Sequence, residues 1–83
     1  MELLLFVSQA FTPCRDAERV WQTVAEESGC ALTVVDVNSA EGHDLAERLR
    51  VTVVPAVAMA GRLLAIGVQS AEEARGLVAE RRP

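Results

Sequence analysis

The chain has 83 residues, 51% of them hydrophobic and 24% charged, with a formal net charge of −4. That length fits one domain over residues 1–83, and that apolar content is too high for a disordered chain. No basic stripe with interleaved aromatics is present, so no nucleic-acid partner is expected. No stretch reaches the roughly 20 apolar residues of a membrane span, so no membrane partner is expected either. The first apolar run, Leu3 to Val7, is too short for a signal-peptide core and lacks a basic leader. A cytoplasmic protein with reduced thiols is the resulting expectation.

Glu2 to Val7 is nearly continuous in apolar residues and reads as a strand covered on both faces. Thr12-Pro13 then supplies a helix start, with Thr at the N-cap and Pro at the first helical position. Ala17, Val20, Trp21, Val24 and Ala25 form one apolar stripe at helical spacing. Gly29 is suited to the left-handed stop. Ala31 to Val37 is β-branched and apolar, a second strand. The strand-helix-strand order makes the two strands parallel.

Asn38 or Ser39 is placed to cap a second helix running through Arg50, with Leu45, Ala46 and Leu49 inward, and Asp36 is placed to cap the loop before it. Val51 to Ala60 is a third apolar run, interrupted by Pro55. Ala60-Gly61 reads as a two-residue hairpin turn, and Arg62 to Ile66 returns as a fourth strand ended by Gly67. Ser70-Ala71-Glu72-Glu73 fits a capping box. It opens a last helix that buries Ala74, Leu77 and Val78, and Arg81-Arg82-Pro83 are expected to fray. The order is β-α-β-α-β-β-α. Helices with apolar faces on both sides need a sheet between them, an α/β three-layer sandwich.

The two cysteines, Cys14 and Cys30, lie at opposite ends of the first helix. At about 1.5 Å per residue they are roughly 20 Å apart, beyond the roughly 7 Å between Cα atoms that a disulfide tolerates. They are not expected to pair. His43, the one histidine, sits on a helix start as a solvated residue, and its spacing from the cysteines gives no zinc site. No metal and no cofactor are expected. Trp21 lies on the buried stripe and reads as core. Arg15 reads as an exposed helical arginine.

Phe11-Thr12-Pro13-Cys14 at the first helix start, Val54-Pro55 ahead of the third strand, and Gly61 with Gly67 around the last hairpin resemble the thioredoxin-like superfamily. The likeness covers nearly the whole chain and is closest to the short, glutaredoxin-sized members. It implies a mixed four-stranded sheet of order 2-1-3-4, the third strand antiparallel to the rest, with one helix on one face and two on the other. Phe11-Thr12-Pro13-Cys14 stands in register with the family's Cys-x-Pro-Cys, and Val54-Pro55 with its cis-proline dipeptide.

In such proteins a helix N-terminus stabilises the attacking thiolate. A second thiol resolves the mixed disulfide, and the strand beside the proline pairs with an extended substrate. Here Phe11 occupies the attacking position and Cys14 the resolving one. A phenyl ring cannot attack sulfur, so the two-thiol cycle is unavailable within this chain. Cys14 also continues the apolar stripe backwards and is expected to face the core.

Three readings of Cys14 stand: a buried apolar residue, a monothiol forming mixed disulfides, or half of a site completed by a cysteine on another chain. The resemblance implies a thiol–disulfide oxidoreductase of degenerate, single-cysteine type. Cys14 would be its thiol, and Phe11, Thr12, Pro13, Val54 and Pro55 its substrate groove. The alternative is a catalytically silent module using that groove. The partner is a protein or a low-molecular-weight thiol. The family's glutathione pattern is not matched: Thr52 is one residue out of step, and Gly67-Val68-Gln69-Ser70 lacks the second glycine. Exposure of Cys14 separates the two readings. A buried sulfur under Phe11 favours binding, and one open to the groove favours chemistry.

Overall fold

A strand made of Leu3, Leu4, Leu5, Phe6 and Val7 has no face to offer to water, so it must lie inside a sheet. The computed structural model, which describes residues 2–81, places it there. Strand β1 (Glu2–Val7) lies between β2 (Ala31–Asp36), which runs parallel to it, and β3 (Ala56–Met59), which runs antiparallel. Strand β4 (Arg62–Ile66) pairs antiparallel with β3, giving the order β2-β1-β3-β4. Three helices complete the chain: α1 (Pro13–Ser28), α2 (Ala40–Arg48) and α3 (Ala71–Arg81). Arg81 is the last residue of α3; Arg82 and Pro83, which were expected to fray with it, lie outside the described residues.

Side chains alternate across the strands and sort into two cores. Leu3, Leu5, Val7, Val57 and Met59 meet α1 and α3 through Ala17, Trp21, Val24, Ala74 and Val78. Phe6, Ala56 and Ala58 face Ala46 of α2 on the other side, with Leu45 and Leu49 half-buried against them. One helix therefore covers one face and two cover the other. Trp21 is the largest fully buried side chain, and its Nε1–H donates to Gln69 Oε1 at 3.2 Å. It is core, with its single donor satisfied.

Several local features depart from the sequence expectations. Thr12 precedes α1 but its backbone is already helical and its side chain makes no capping bond. The start is closed instead by i to i−3 backbone bonds, Cys14 N–H to Phe11 O and Arg15 N–H to Thr12 O, both 3.0 Å. Helix α2 stops at Arg48 rather than Arg50. Val51 N–H reaches Ala46 O at 2.8 Å and Arg50 N–H reaches Glu47 O, which is the bond pair that ends α1 around Gly29. Here the left-handed residue is Arg50, at φ 59°. The third apolar run is a strand only from Ala56. Pro55 has no N–H to give a ladder, so pairing starts after it.

Other signals are realised as expected. Ala60 and Gly61 both hold positive φ, the geometry of a type I′ hairpin turn between Met59 and Arg62. Ser39 caps α2 by accepting from Gly42 N–H at 2.9 Å, while its hydroxyl donates to Asp36 O. The Asp36 carboxylate accepts from Asn38 N–H at 2.9 Å. Ser70 and Glu73 exchange backbone-to-side-chain bonds of 3.0 Å each. Gly42 has a role the sequence did not announce. It is buried in the first turn of α2, and a Cβ there would collide with the Asp36 carbonyl.

Three measurements test these assignments. Gly42→Ala forces the α2 start away from β2 and is expected to destabilise the fold by about 1–3 kcal/mol, read from the urea midpoint. Arg50→Gly relieves a left-handed residue and is expected to raise stability by about 0.5–1 kcal/mol. Glu73 titrates below the ordinary 4.5 because the Ser70 backbone N–H, and then its side chain, bond the carboxylate. A lowered folded pKa means that the stabilisation is present above the unfolded pKa and lost as pH falls through the folded one. The stability advantage of the native chain over Glu73→Gln is therefore expected to shrink as pH drops below 4.5, read as urea midpoints against pH.

Candidate functional site

The last β1–β3 pair is Phe6 with Ala56. Since the strands are antiparallel, the chain leaves β1 at Val7 beside the point where Pro55 leads into β3. The Val54–Pro55 peptide is cis. On the far side of β3, Ala56 pairs with Ile66, and Gly67 N–H donates to Pro55 O at 2.8 Å. Three segments thus gather at one end of the sheet: Ser8 to Pro13, Val53 to Pro55, and Gly67 with Val68.

The first segment is a turn closed by Phe11 N–H to Ser8 O at 3.1 Å. Because α1 begins only at Pro13, Phe11 stands outside the helix stripe, and it is 47% exposed. Thr12 is exposed and Pro13 half-buried. Cys14, one residue into the helix, turns the other way. It is 4% exposed, packs in the core that holds Val7, Ala17 and Trp21, and its Sγ accepts from Ser8 N–H at 3.4 Å. The sulfur is therefore buried as the stripe implied, but it is not sealed off. A hollow of about 350 Å³ reaches Cys14 past Ser8, Gln9, Arg15 and Glu18.

The proline side of the site is more enclosed. Pro55 is buried, and Val54 is half-buried between the two cores. Val53 and Val68 are 54% and 47% exposed. With Phe11 they give each of the three gathered segments an exposed apolar side chain. Sequence reasoning missed Val53 and Val68. The available signal was position: each flanks a residue that ends regular pairing, Pro55 for Val53 and Gly67 for Val68.

The remaining candidates lie elsewhere. Cys30 is half-buried just past the other end of α1, and neither cysteine is in a disulfide. His43 is exposed and sits 3.1 Å from Glu47 on its own helix. Among the described residues no group of His, Cys, Asp and Glu is placed to hold a metal ion, and no helix is long and apolar enough to cross a membrane.

No protein-family model matches the sequence, and no curated protein matches it. Solved structures do. A variant thioredoxin from Halobacterium salinarum NRC-1 superposes with a TM-score of 0.80 at 26% identity, over 95% of this chain and 72% of that one. Thioredoxin 1 from Thermosipho africanus gives a TM-score of 0.76 at 19% identity, over 96% of this chain and 92% of its own. Thioredoxin O2 from Arabidopsis thaliana gives 0.76 at 16% identity, over 99% and 75%. The chain is a thioredoxin-like domain. Its element order and its mixed sheet of order β2-β1-β3-β4 are those of that fold. Within this thioredoxin-like domain Phe11 is exposed and Cys14 is buried.

Proposed function

We propose that this thioredoxin-like domain binds an extended polypeptide of a protein partner in the groove between Phe11–Cys14 and Val54–Pro55, without a two-thiol cycle of its own. The observation that supports this reading is the opposite orientation of Phe11 and Cys14. The exposed position holds a phenyl ring, and the one nearby sulfur is buried beneath the turn that Ser8 opens. Phe11, Val53 and Val68 offer apolar contact around the groove, and an extended segment beside the proline finds backbone to pair with. Aromatic side chains set among apolar neighbours commonly dominate such contacts.

A second reading is favoured by the hollow that reaches Cys14. There the Cys14 thiolate attacks one sulfur of a disulfide, in a protein or in a low-molecular-weight compound. The new S–S bond forms as the old one breaks, and the other sulfur leaves as a thiolate. A thiol from outside the chain then has to resolve the mixed disulfide.

Alkylation of the native protein, mapped separately at Cys14 and Cys30, discriminates the readings. Protection of Cys14 until urea unfolds the chain is expected. Fast native modification of Cys14 would select the mixed-disulfide chemistry instead. For the groove, a peptide selected from a random library on the immobilised domain is the probe. Phe11→Glu is expected to weaken it by about tenfold or more, and Cys14→Ser to change it little. Undiminished binding to Phe11→Glu would sink the proposal.

A further inference from the structure

Strand β2 lies at the outer edge of the sheet, with β1 on one side and no strand on the other among the described residues. It is the most exposed strand of the four, and Val34 is 41% open to solvent. Val37 N–H donates to Val7 O at 3.0 Å, so Ala31, Thr33 and Val35, which share its parity, turn their peptide groups toward β1. Along a strand these directions alternate. Leu32 and Val34 therefore point both N–H and C=O outward. Asp36 shares their parity, but its carbonyl is already taken by the Ser39 N–H and hydroxyl.

Natural sheets usually protect such an edge with lysine, proline or a bulge. From Ala31 to Val35 there is no proline and no ionisable side chain, and the register with β1 is unbroken. The other edge strand differs. β4 carries Arg62 at its start, and its pairing with β3 is interrupted at Val57/Ala58.

We propose that β2 pairs with β2 of a second copy of the chain, antiparallel, about a twofold axis at Thr33. An axis normal to the sheet keeps each face continuous, so residues can oppose one another only at matching parity. With the axis at Thr33, Leu32 exchanges both backbone bonds with Val34 of the second copy, and Val34 with its Leu32. The unused groups on the edge are thereby matched to one another. Within β2 the charge pattern fits this direction, although the Glu2 carboxylate, which accepts from Thr33 Oγ1 at 2.7 Å, stands beside the axis in each copy. The one charged residue of β2 is Asp36, three positions from the axis. The two carboxylates then stand about 20 Å apart, well beyond the screening length near 10 Å. A parallel pairing would stack them. On the α1 face, a hollow of about 340 Å³ beside Leu32 and Val34 leaves room for the second copy's Val34.

The test uses the full chain. Sedimentation equilibrium from about 10 μM to about 1 mM is expected to show the mass rising from 8.9 kDa toward twice that value. Val34→Lys, at an exposed position, is expected to stay monomeric over the range with an unchanged far-UV circular dichroism spectrum. In a Cys14→Ala, Cys30→Ala background, Thr33→Cys is expected to cross-link across the axis under mild oxidation, because Thr33 faces itself at about 4.5 Å between Cα atoms. Val35→Cys, set off from its symmetry mate, is expected not to. A chain that stays monomeric throughout overturns the proposal. So does a dimer that survives Val34→Lys, or one in which Val35→Cys cross-links as well as Thr33→Cys.

Discussion

Leu3, Leu5 and Phe6 of β1 are buried from both sides, and a strand with no wet face obliges the chain to supply a layer on each. Most of the architecture follows from that demand. Trp21, Val24, Ala74 and Val78 close one face and Ala46 the other. Each fully buried large apolar side chain contributes about 1.5–3 kcal/mol relative to exposure. In a chain of 83 residues, where the core is small, few such contributions can be lost. The same strand also positions the candidate site. Its pairing with β3 brings the Ser8–Phe11 turn beside Pro55, and the Gly67 bond to Pro55 brings in the third segment.

The behaviour of Cys14 comes from the same constraint. Its position is both the first turn of α1 and the leading member of the apolar stripe that α1 lays on the sheet. Packing that stripe turns the sulfur inward. Phe11 lies before the helix, in a turn closed by its N–H bond to Ser8 O, and its ring is exposed. The motif is thus divided at the helix start: periodicity turns the thiol inward, while the aromatic lies in the turn before the helix.

Element order and the two-sided core were legible because they rest on patterns that burial enforces over many residues, whereas the sheet order came from the family likeness. The Ser70–Glu73 box and the Ala60-Gly61 turn were legible too, where local chemistry and tertiary packing agree. The failures share a cause: each depends on a neighbour remote in sequence or on a backbone state that the residue type does not advertise. Gly42 is set by the Asp36 carbonyl beneath it. Arg50 occupies a left-handed position normally signalled by glycine, so α2 read two residues too long. Val51 to Pro55 carries β-type residues but crosses from α2 to the sheet, and Pro55 delays the ladder. At the site, the burial of Cys14 was legible from periodicity. The exposure of Phe11, Val53 and Val68 was not, because it depends on which loops meet at the sheet end.

The edge and the groove occupy different parts of the sheet. β2 flanks β1 on the side away from β3, whereas the groove lies between the end of β1 and the start of β3. A second copy on β2 therefore leaves the groove open. Its antiparallel direction sets the two grooves at opposite ends of the joined sheet, so Cys14 does not meet its own counterpart. Cys30 of the second copy comes opposite Asp36, two strand spacings, or about 10 Å, from β1. That exceeds the roughly 7 Å that a disulfide spans between Cα atoms. In the proposed pairing, Cys30 of each copy therefore faces Asp36 rather than a cysteine.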